Sequence, residues 1–531
     1  KPMSDYANLG KSGIMRTIED YAMGINFSRA MSVKYGNLLN DAAGTRSYTA
    51  IAVGRVMTCV LGMVVIRERE IRSFVETPFY RVVGSFTDAN IEAEWKAVEG
   101  SKYFESPLLY KENGFKEHRT AEELIRFLSA DPMEGTLIAL DKKKETKNPP
   151  LLYNLAEIQN DCSKMFKISP DETLKIIQEL YEKKLVTYPR TDARVLSTAV
   201  AKEIYRNIGG LRNFGPLADF AAKALDSGTW KMIARTKYVN DKQITDHYAI
   251  IPTGQGFGAL RSLNPLAAKV YELIGRRFLS IFYPPAVYQK FSLRIEKQGE
   301  QFFAAYKVLA EAGYLEDANV PSKKKMENSG NSRGENSGAG QENQAEELDP
   351  GHDEKAKNLL AMLSGLKKGQ KLKLLKFDIK EGETSPPKRY TSGSMILAME
   401  NAGQLIDDED LRAQIKGSGI GTSATRAEIL KKLFNIKYLA LAKKTQVITP
   451  TLLGEIVFDV CQASMRQLLN PELTASWEKG LTYVAEGTIT PDEYMEKLER
   501  FVTLRTNGVK QMNNAYMLRP YFDAAAQFYK K

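Results

Sequence analysis

The sequence predicts a multidomain α+β protein, and three observations carry that prediction. The chain has 531 residues, more than one hydrophobic core usually serves. Helical and alternating hydrophobic patterns occupy separate blocks instead of mixing. Strand-like character also appears twice, on either side of a helical block. The middle block therefore reads as an insertion into a sheet domain.

Residues 1–75 read as helical. Val60, Val64 and Arg67 follow helical spacing and lead into the charged run Arg67-Glu68-Arg69-Glu70. Over 76–148 the character changes, and Phe79 to Phe86 reads as a strand. Residues 149–284 return to helix. Within them Ser169-Pro170-Asp171-Glu172 has the form of a capping box with proline at the first helical position, and Leu174, Ile177 and Tyr181 follow at helical spacing. From Tyr288 the period becomes two. Phe291, Leu293 and Ile295 alternate with polar residues, Gln298-Gly299-Glu300 makes a turn, and Phe302, Ala304, Tyr306 and Val308 continue beyond it, which is a hairpin.

Residues 321–356 are rich in Lys, Glu, Asn, Ser and Gly with almost no apolar anchor. Such a segment cannot offset its ordering entropy and is expected to be disordered. Strand character resumes at Lys371-Leu372-Lys373-Leu374, so 285–387 forms the second half of the sheet domain. Residues 388–505 read as helical throughout. The last stretch, 506–531, is an extension with no assignable pattern.

Composition narrows the function classes. Hydrophobic residues make up 43% and the formal net charge is +10. This suits a globular protein with a polyanionic partner. Cys59, Cys162 and Cys461 are far apart and form no CxxC, which points to a reducing compartment. With only three histidines, no zinc site is expected. The longest apolar run, near Val56 to Ile66, is too short to span a bilayer, and the N-terminus lacks a signal pattern. Ribosomal or membrane-surface proteins would show the same charge. Gly10-Lys11-Ser12 lacks the upstream glycine of a Walker A loop, so no ATP motor is expected.

The chemistry concentrates in Leu185-Val186-Thr187-Tyr188-Pro189-Arg190-Thr191-Asp192. In an extended chain i and i+2 side chains leave the same face, so Tyr188 and Arg190 would converge on one phosphate. A phenol attacks phosphorus when a cation stabilises the phenolate and the phosphoryl oxygens, and a guanidinium fork matches phosphate. Taken alone, the stretch could equally be an ordinary turn with a surface tyrosine. Gly417 to Ser423 is a glycine-rich turn before a helix from Ala424 to Phe434, a place where backbone donors can meet phosphate. Asp408-Glu409-Asp410 has Asp-x-Asp spacing but lies in a polar loop and reads as a solvated charge run.

Thr187-Tyr188-Pro189-Arg190-Thr191-Asp192 resembles the active-site segment of type IA DNA topoisomerases, topoisomerase III branch. Further motifs follow in the family's order. Tyr21 to Ala30 resembles an early family helix. Val53-Gly54-Arg55-Val56, with Val64 to Ile71, resembles a helix that faces DNA. Pro149 to Leu155 resembles the entry to the tyrosine domain, and His247 to Thr253 the histidine motif. Gly419 to Ile429 and Pro471 to Glu478 complete the set. Together they span roughly residues 1 to 500. Met57 and Cys59 stand where the family usually has glutamine and proline.

The resemblance implies a toroidal core. Two helical regions are linked by a β-rich hinge domain, and the tyrosine domain sits at the tip. It implies that Tyr188 cleaves one DNA strand and holds the 5′ phosphate, with Arg190 stabilising the phosphoryl group. It places His247 against a backbone phosphate, and Arg55, Thr422, Thr425 and Arg426 on single-stranded DNA. Read without the family, His247 is a satisfied structural histidine and Arg55 a helix-surface arginine. The implied substrates are single-stranded and negatively supercoiled or catenated DNA, and the implied protein is a cytoplasmic, DNA-associated bacterial monomer without membrane contact. The family's Toprim domain, which carries magnesium on an acidic cluster, has no counterpart pattern before Tyr21. The chain therefore reads as a core lacking that domain and inactive alone, with magnesium expected for the complete enzyme. The rival reading is a non-catalytic single-stranded DNA-binding protein. A tyrosine recombinase would need a scattered arginine and histidine set around a late tyrosine, which is not seen. A basic RNA-binding protein is a further alternative.

Overall fold

A computed structural model of the chain describes residues 6–43, 50–87, 91–244, 246–318, 346–348, 354–415 and 419–529. Two helices come first, α1 (Ala7–Ala43) and α2 (Arg55–Ser73). A strand block follows: β1 (Pro78–Phe86), β2 (Ile91–Lys96), β3 (Leu109–Lys111), β4 (Gly114–Phe115), α3 (His118–Leu128) and β5 (Glu134–Lys147). Then come α4 (Leu155–Phe166), α5 (Pro170–Glu182), α6 (Thr198–Leu211), α7 (Gly215–Asp226) and α8 (Pro265–Ser280). The strands resume with β6 (Ala286–Lys297), β7 (Glu300–Glu311), α9 (Leu315–Ala318), β8 (Glu346–Leu348), α10 (Glu354–Gly365) and β9 (Lys371–Glu383). The chain finishes with α11 (Ser392–Glu400), α12 (Glu409–Gln414), α13 (Arg426–Asn435), β10 (Leu439–Ala442), β11 (Val447–Pro450), α14 (Leu452–Ser464), α15 (Pro471–Glu486), α16 (Pro491–Gln511) and α17 (Ala515–Ala526).

The two strand blocks build one closed sheet. β1, β2, β7, β6, β5 and β9 pair in turn, all antiparallel, and β9 returns to β1. Two of the joints are short: β5 pairs β9 only over Glu134–Thr136, and β2 pairs β7 only over Glu94–Lys96. Alternate residues point inward, and Phe86, Trp95, Leu137, Phe291, Ile295, Phe302 and Leu374 fill the barrel. The predicted hairpin forms as β6–β7. Its turn puts Gln298 at φ 53° and Gly299 at φ 82°, a pair of left-handed residues that matches the twist of the strands.

The inserted block leaves and re-enters the barrel through paired strand ends, since Lys147 of β5 lies opposite Ala286 of β6. At the other neck Pro78 of β1 lies opposite Glu383 of β9. Each junction is thus two adjacent strands. The outer helices form a third body, in which α1 buries Met23, Phe27, Met31, Tyr35 and Leu39 at helical spacing and α2 is buried from Met57 to Val65. The helical insert has its own core from Leu152 to Phe282. Contacts of α4 and α5 with α11 and α13 bring the insert back onto the outer helices, which closes a ring of three bodies.

Three expectations are corrected. The outer helical block contains the β10–β11 hairpin, with Leu439 and Ile448 in the core. The extension 506–531 is not a separate tail. α16 runs on to Gln511, and α17 buries Leu518, Phe522 and Ala525 against the base. In the expected disordered insert, 319–345 and 349–353 lie outside the described residues, but Glu346–Leu348 pairs parallel with β7 and α10 starts at Glu354. Paired backbone gives that short strand an anchor its polar sequence does not display.

Candidate active site

Tyr188 owes its position to both neighbours of the loop that carries it. Ser169 caps α5 by accepting from the Glu172 N–H, and after Glu182 the chain reverses through Lys184 at φ 61°. Val186 then bridges Pro252 in antiparallel fashion. The Thr187 N–H donates to the Ile251 carbonyl at 3.0 Å, its hydroxyl donates to the Ala249 carbonyl at 3.0 Å, and the Ile251 N–H donates back to that hydroxyl at 2.9 Å. The Thr191 hydroxyl donates to the His247 carbonyl at 2.9 Å. These cross-links tie the tyrosine segment to the histidine segment and bring their rings together. The Tyr188 and His247 centroids are 4.3 Å apart at 39°. Tyr181 meets Tyr188 edge-on at 5.5 Å. The half-buried Tyr188 and exposed His247 line an open cleft of about 590 Å³ with Lys184, Tyr248, Thr253 and Gln255.

For Arg190 the extended geometry does not hold. The chain bends at Pro189, and the Thr191 N–H closes onto the Pro189 carbonyl at 3.0 Å. The extended alternation ends there. The Arg190 guanidinium instead reaches Gln178 Oε1 on α5 at 3.5 Å, and it is not among the residues lining the Tyr188 cleft. The cation in the cleft is Lys184, at the helix end.

The other candidates divide by burial. Thr422 and Thr425 are exposed, and their hydroxyls face each other at 3.1 Å. The Thr422 N–H donates to Thr425 Oγ1, and the Ile420 N–H to the Met399 carbonyl. The turn therefore satisfies much of its own backbone, which the reading of free phosphate donors did not foresee. α13 begins at Arg426, two residues later than expected; Gly417 and Ser418 lie outside the described residues. Arg426 is a correction: 1% exposed, it donates to Asp192 Oδ1 at 3.1 Å and to the Ile420 carbonyl at 3.3 Å. Arg55 is another. Its side chain is 3% exposed and pairs with Glu19 at 3.1 Å, Asp20 at 3.1 Å and Glu478 at 3.2 Å. Both arginines are engaged inside the protein.

Sequence reasoning missed the seam beside Tyr188. Asn154 caps α4, accepting from the Glu157 N–H, and donates to the Asp192 carbonyl at 3.2 Å and to Glu400 Oε1 at 2.6 Å. Burial raises the Glu400 carboxyl above the ordinary range; Arg426 and the Asn154 hydrogen bond oppose this, while Asp192 and Glu157 add to it. The signal for Asn154 was its place before an apolar helix, the usual N-cap position. Nothing local announces its partner 246 residues away.

Among the described residues no group of three or more His, Cys, Asp or Glu is placed to hold a metal ion. The residues present do not fit the magnesium site that the resemblance implies. Also among them, no helix is long and apolar enough to cross a membrane.

A family model described as DNA topoisomerase matches residues 4–496. The chain belongs to the type IA DNA topoisomerases. It is 29% identical over 519 residues to proteins named DNA topoisomerase 3 from Bacillus licheniformis and Bacillus subtilis, and covers 96% of this chain and 62% of each relative. The chain thus spans under two thirds of those relatives' length. Its fold is similar to full-length topoisomerase I from Thermotoga maritima, with a TM-score of 0.63 at 22% identity over 94% of this chain and 69% of the other. The toroidal α+β architecture is that of a type IA topoisomerase.

Proposed function

We propose that these residues form the strand-cleaving and gate-forming core of a topoisomerase III-like enzyme. The observation that carries this reading is the Tyr188 phenol held against His247 in an open cleft, on a domain joined to the barrel by one pair of strands and resting on the outer helices through α4 and α5. The phenol oxygen attacks a backbone phosphorus. An Oη–P bond forms as the P–O3′ bond breaks, the phenol proton leaves, and O3′ takes up a proton. One phosphodiester is exchanged for another ester of similar energy, so reversal reseals the strand without ATP. Lys184, which lines the same cleft, and Arg190, two residues beyond the tyrosine, stabilise phosphoryl charge, and His247 orients the backbone. Thr422 and Thr425 offer exposed hydroxyls to the single strand. Magnesium on a Toprim domain would supply further charge stabilisation in the complete enzyme. Relaxation of negatively supercoiled plasmid by residues 1–531 is expected only when such a domain is added, fused or separate.

With that domain present, Tyr188→Phe should keep the fold and single-strand binding but form no covalent DNA adduct, read by denaturing gel after detergent trapping. Adduct at the wild-type level in Tyr188→Phe would exclude the residue. Absence of adduct in the wild type as well would favour a single-strand binder that does not cut.

A further inference from the structure

The outer wall of the barrel carries an arrangement the cleavage chemistry does not use. Lys143 of β5 lies directly opposite Lys290 of β6, and Lys290 directly opposite Lys307 of β7. Cross-strand partners share a face, and neighbouring strands lie about 4.8 Å apart, so three lysines stand in a line roughly 10 Å long. Phe291, Leu293, Tyr306 and Val308 alternate with this row and are buried in the barrel, so the row faces outward.

Lys307 is answered: it donates to Glu145 Oε1 at 2.6 Å and lies over the buried Tyr288 ring at 4.4 Å. Among the described residues neither Lys143 nor Lys290 shows an ion pair. Like charges directly opposite in a sheet destabilise it. Glu145, the carboxylate nearest the row, is held below its usual range first by the Lys307 hydrogen bond, with Lys290 and Lys147 adding to it. Asp141 lies two residues from Lys143 on the same face, so two carboxylates of β5, Asp141 and Glu145, stand among Lys143, Lys147, Lys290 and Lys307, and the wall keeps an excess of positive charge.

We propose that this wall, centred on Lys143 and Lys290, binds the phosphate backbone of duplex DNA at a site separate from the Tyr188 cleft. The choice of polyanion rests on the topoisomerase reading. Duplex is favoured over single strand because, among the described residues, no fully exposed ring stands on this wall. Tyr288 is buried, and Phe303 is covered by Arg294 at 5.6 Å and Lys96 at 5.7 Å. Single-strand sites use such rings as stacking platforms, whereas backbone recognition needs only cations.

The test uses the full chain carrying Lys143→Gln with Lys290→Gln, and fluorescence anisotropy on a short duplex and on oligo(dT) across a salt series; covalent adducts are read with a Toprim domain supplied to wild type and variant alike. The duplex slope of log K against log salt should become shallower by about 1.8, at roughly 0.9 per lysine. Oligo(dT) affinity, adduct formation through Tyr188 and the melting temperature should hold, and Lys143→Arg with Lys290→Arg should keep the wild-type slope. An unchanged duplex slope overturns the site. So does an equal loss on oligo(dT), because the wall would then be a general polyanion surface. If the wild type formed no adduct yet the duplex slope still fell, the cleavage reading would fail while the duplex site stood.

Discussion

Arg55 and Glu19 illustrate how burial reassigns a residue. Glu19 is fully buried, and burial pushes its carboxyl up to about 7 against the pull of Arg55 and the Tyr494 hydroxyl. Between about pH 4.5 and 7 the folded protein keeps a proton on Glu19 that the unfolded chain has released. This contribution to stability is full below 4.5 and is lost as pH rises through 7. Glu19→Gln removes the titration. The advantage of wild type over Glu19→Gln should therefore shrink by up to about 3 kcal/mol from pH 4.5 to 8. Urea unfolding of both proteins across that range measures it, and a constant difference would mean that Glu19 does not titrate there. Arg55→Ala leaves three carboxylates without their shared cation, a loss expected to cost about 3–5 kcal/mol. A mutant of wild-type stability that only loses DNA affinity would return Arg55 to the surface role its motif suggested.

At the scale of elements, the packing of α11 on α4 depends on one missing side chain. A Cβ at Gly393 would lie 2.7 Å from the Asn160 Cα and 2.7 Å from the Ser163 Cβ. Backbone on one side leaves little room to yield. Gly393→Ala should destabilise the contact by about 1–3 kcal/mol, the usual range for overpacking, and a melting curve within a degree of wild type would refute it. The sequence signalled helices and hairpins where the pattern was long. The β6–β7 alternation and the Ser169 cap were legible because they are local. The β10–β11 hairpin was missed because four-residue strands such as Leu439–Ala442 carry too little period to stand out. The Tyr188–Arg190 alternation failed at Pro189, where a single hydrogen bond bends the chain. α17 was missed because Leu518 and Phe522 gain meaning only against α14 and α1.

At the scale of the molecule, the ring has two kinds of joint. The necks are pairs of covalently continuous strands. The closing seam is mostly polar: Asp192 with Arg426, Asn154 with Glu400, Ser163 with Ser392 at 3.2 Å, and Gln446 Nε2 donating to the Lys167 carbonyl at 3.1 Å. Among the described residues Ala156 is the only one from the tyrosine-bearing body in the core of the outer helices. Parting the seam therefore exposes little apolar surface, and water can replace its hydrogen bonds. A Ser163→Cys, Ser392→Cys pair should lock the seam on oxidation. In the complete enzyme, adduct formation should persist while plasmid relaxation stops, and reduction should restore it. Relaxation that survives a verified disulfide would mean that the ring opens elsewhere.

The sequence by itself determined the family and the block order, and it singled out Tyr188 as the candidate nucleophile, because motifs and hydrophobic period are properties of neighbouring residues. Only the tertiary structure decided which charged residues are available. Arg55, Arg426 and Arg190 look alike in the chain, yet the first two are enclosed by carboxylates from Glu19 to Glu478 and by Asp192, while the third is turned aside at Pro189. Burial and ion pairing arise from segments hundreds of residues apart, and no local pattern records them.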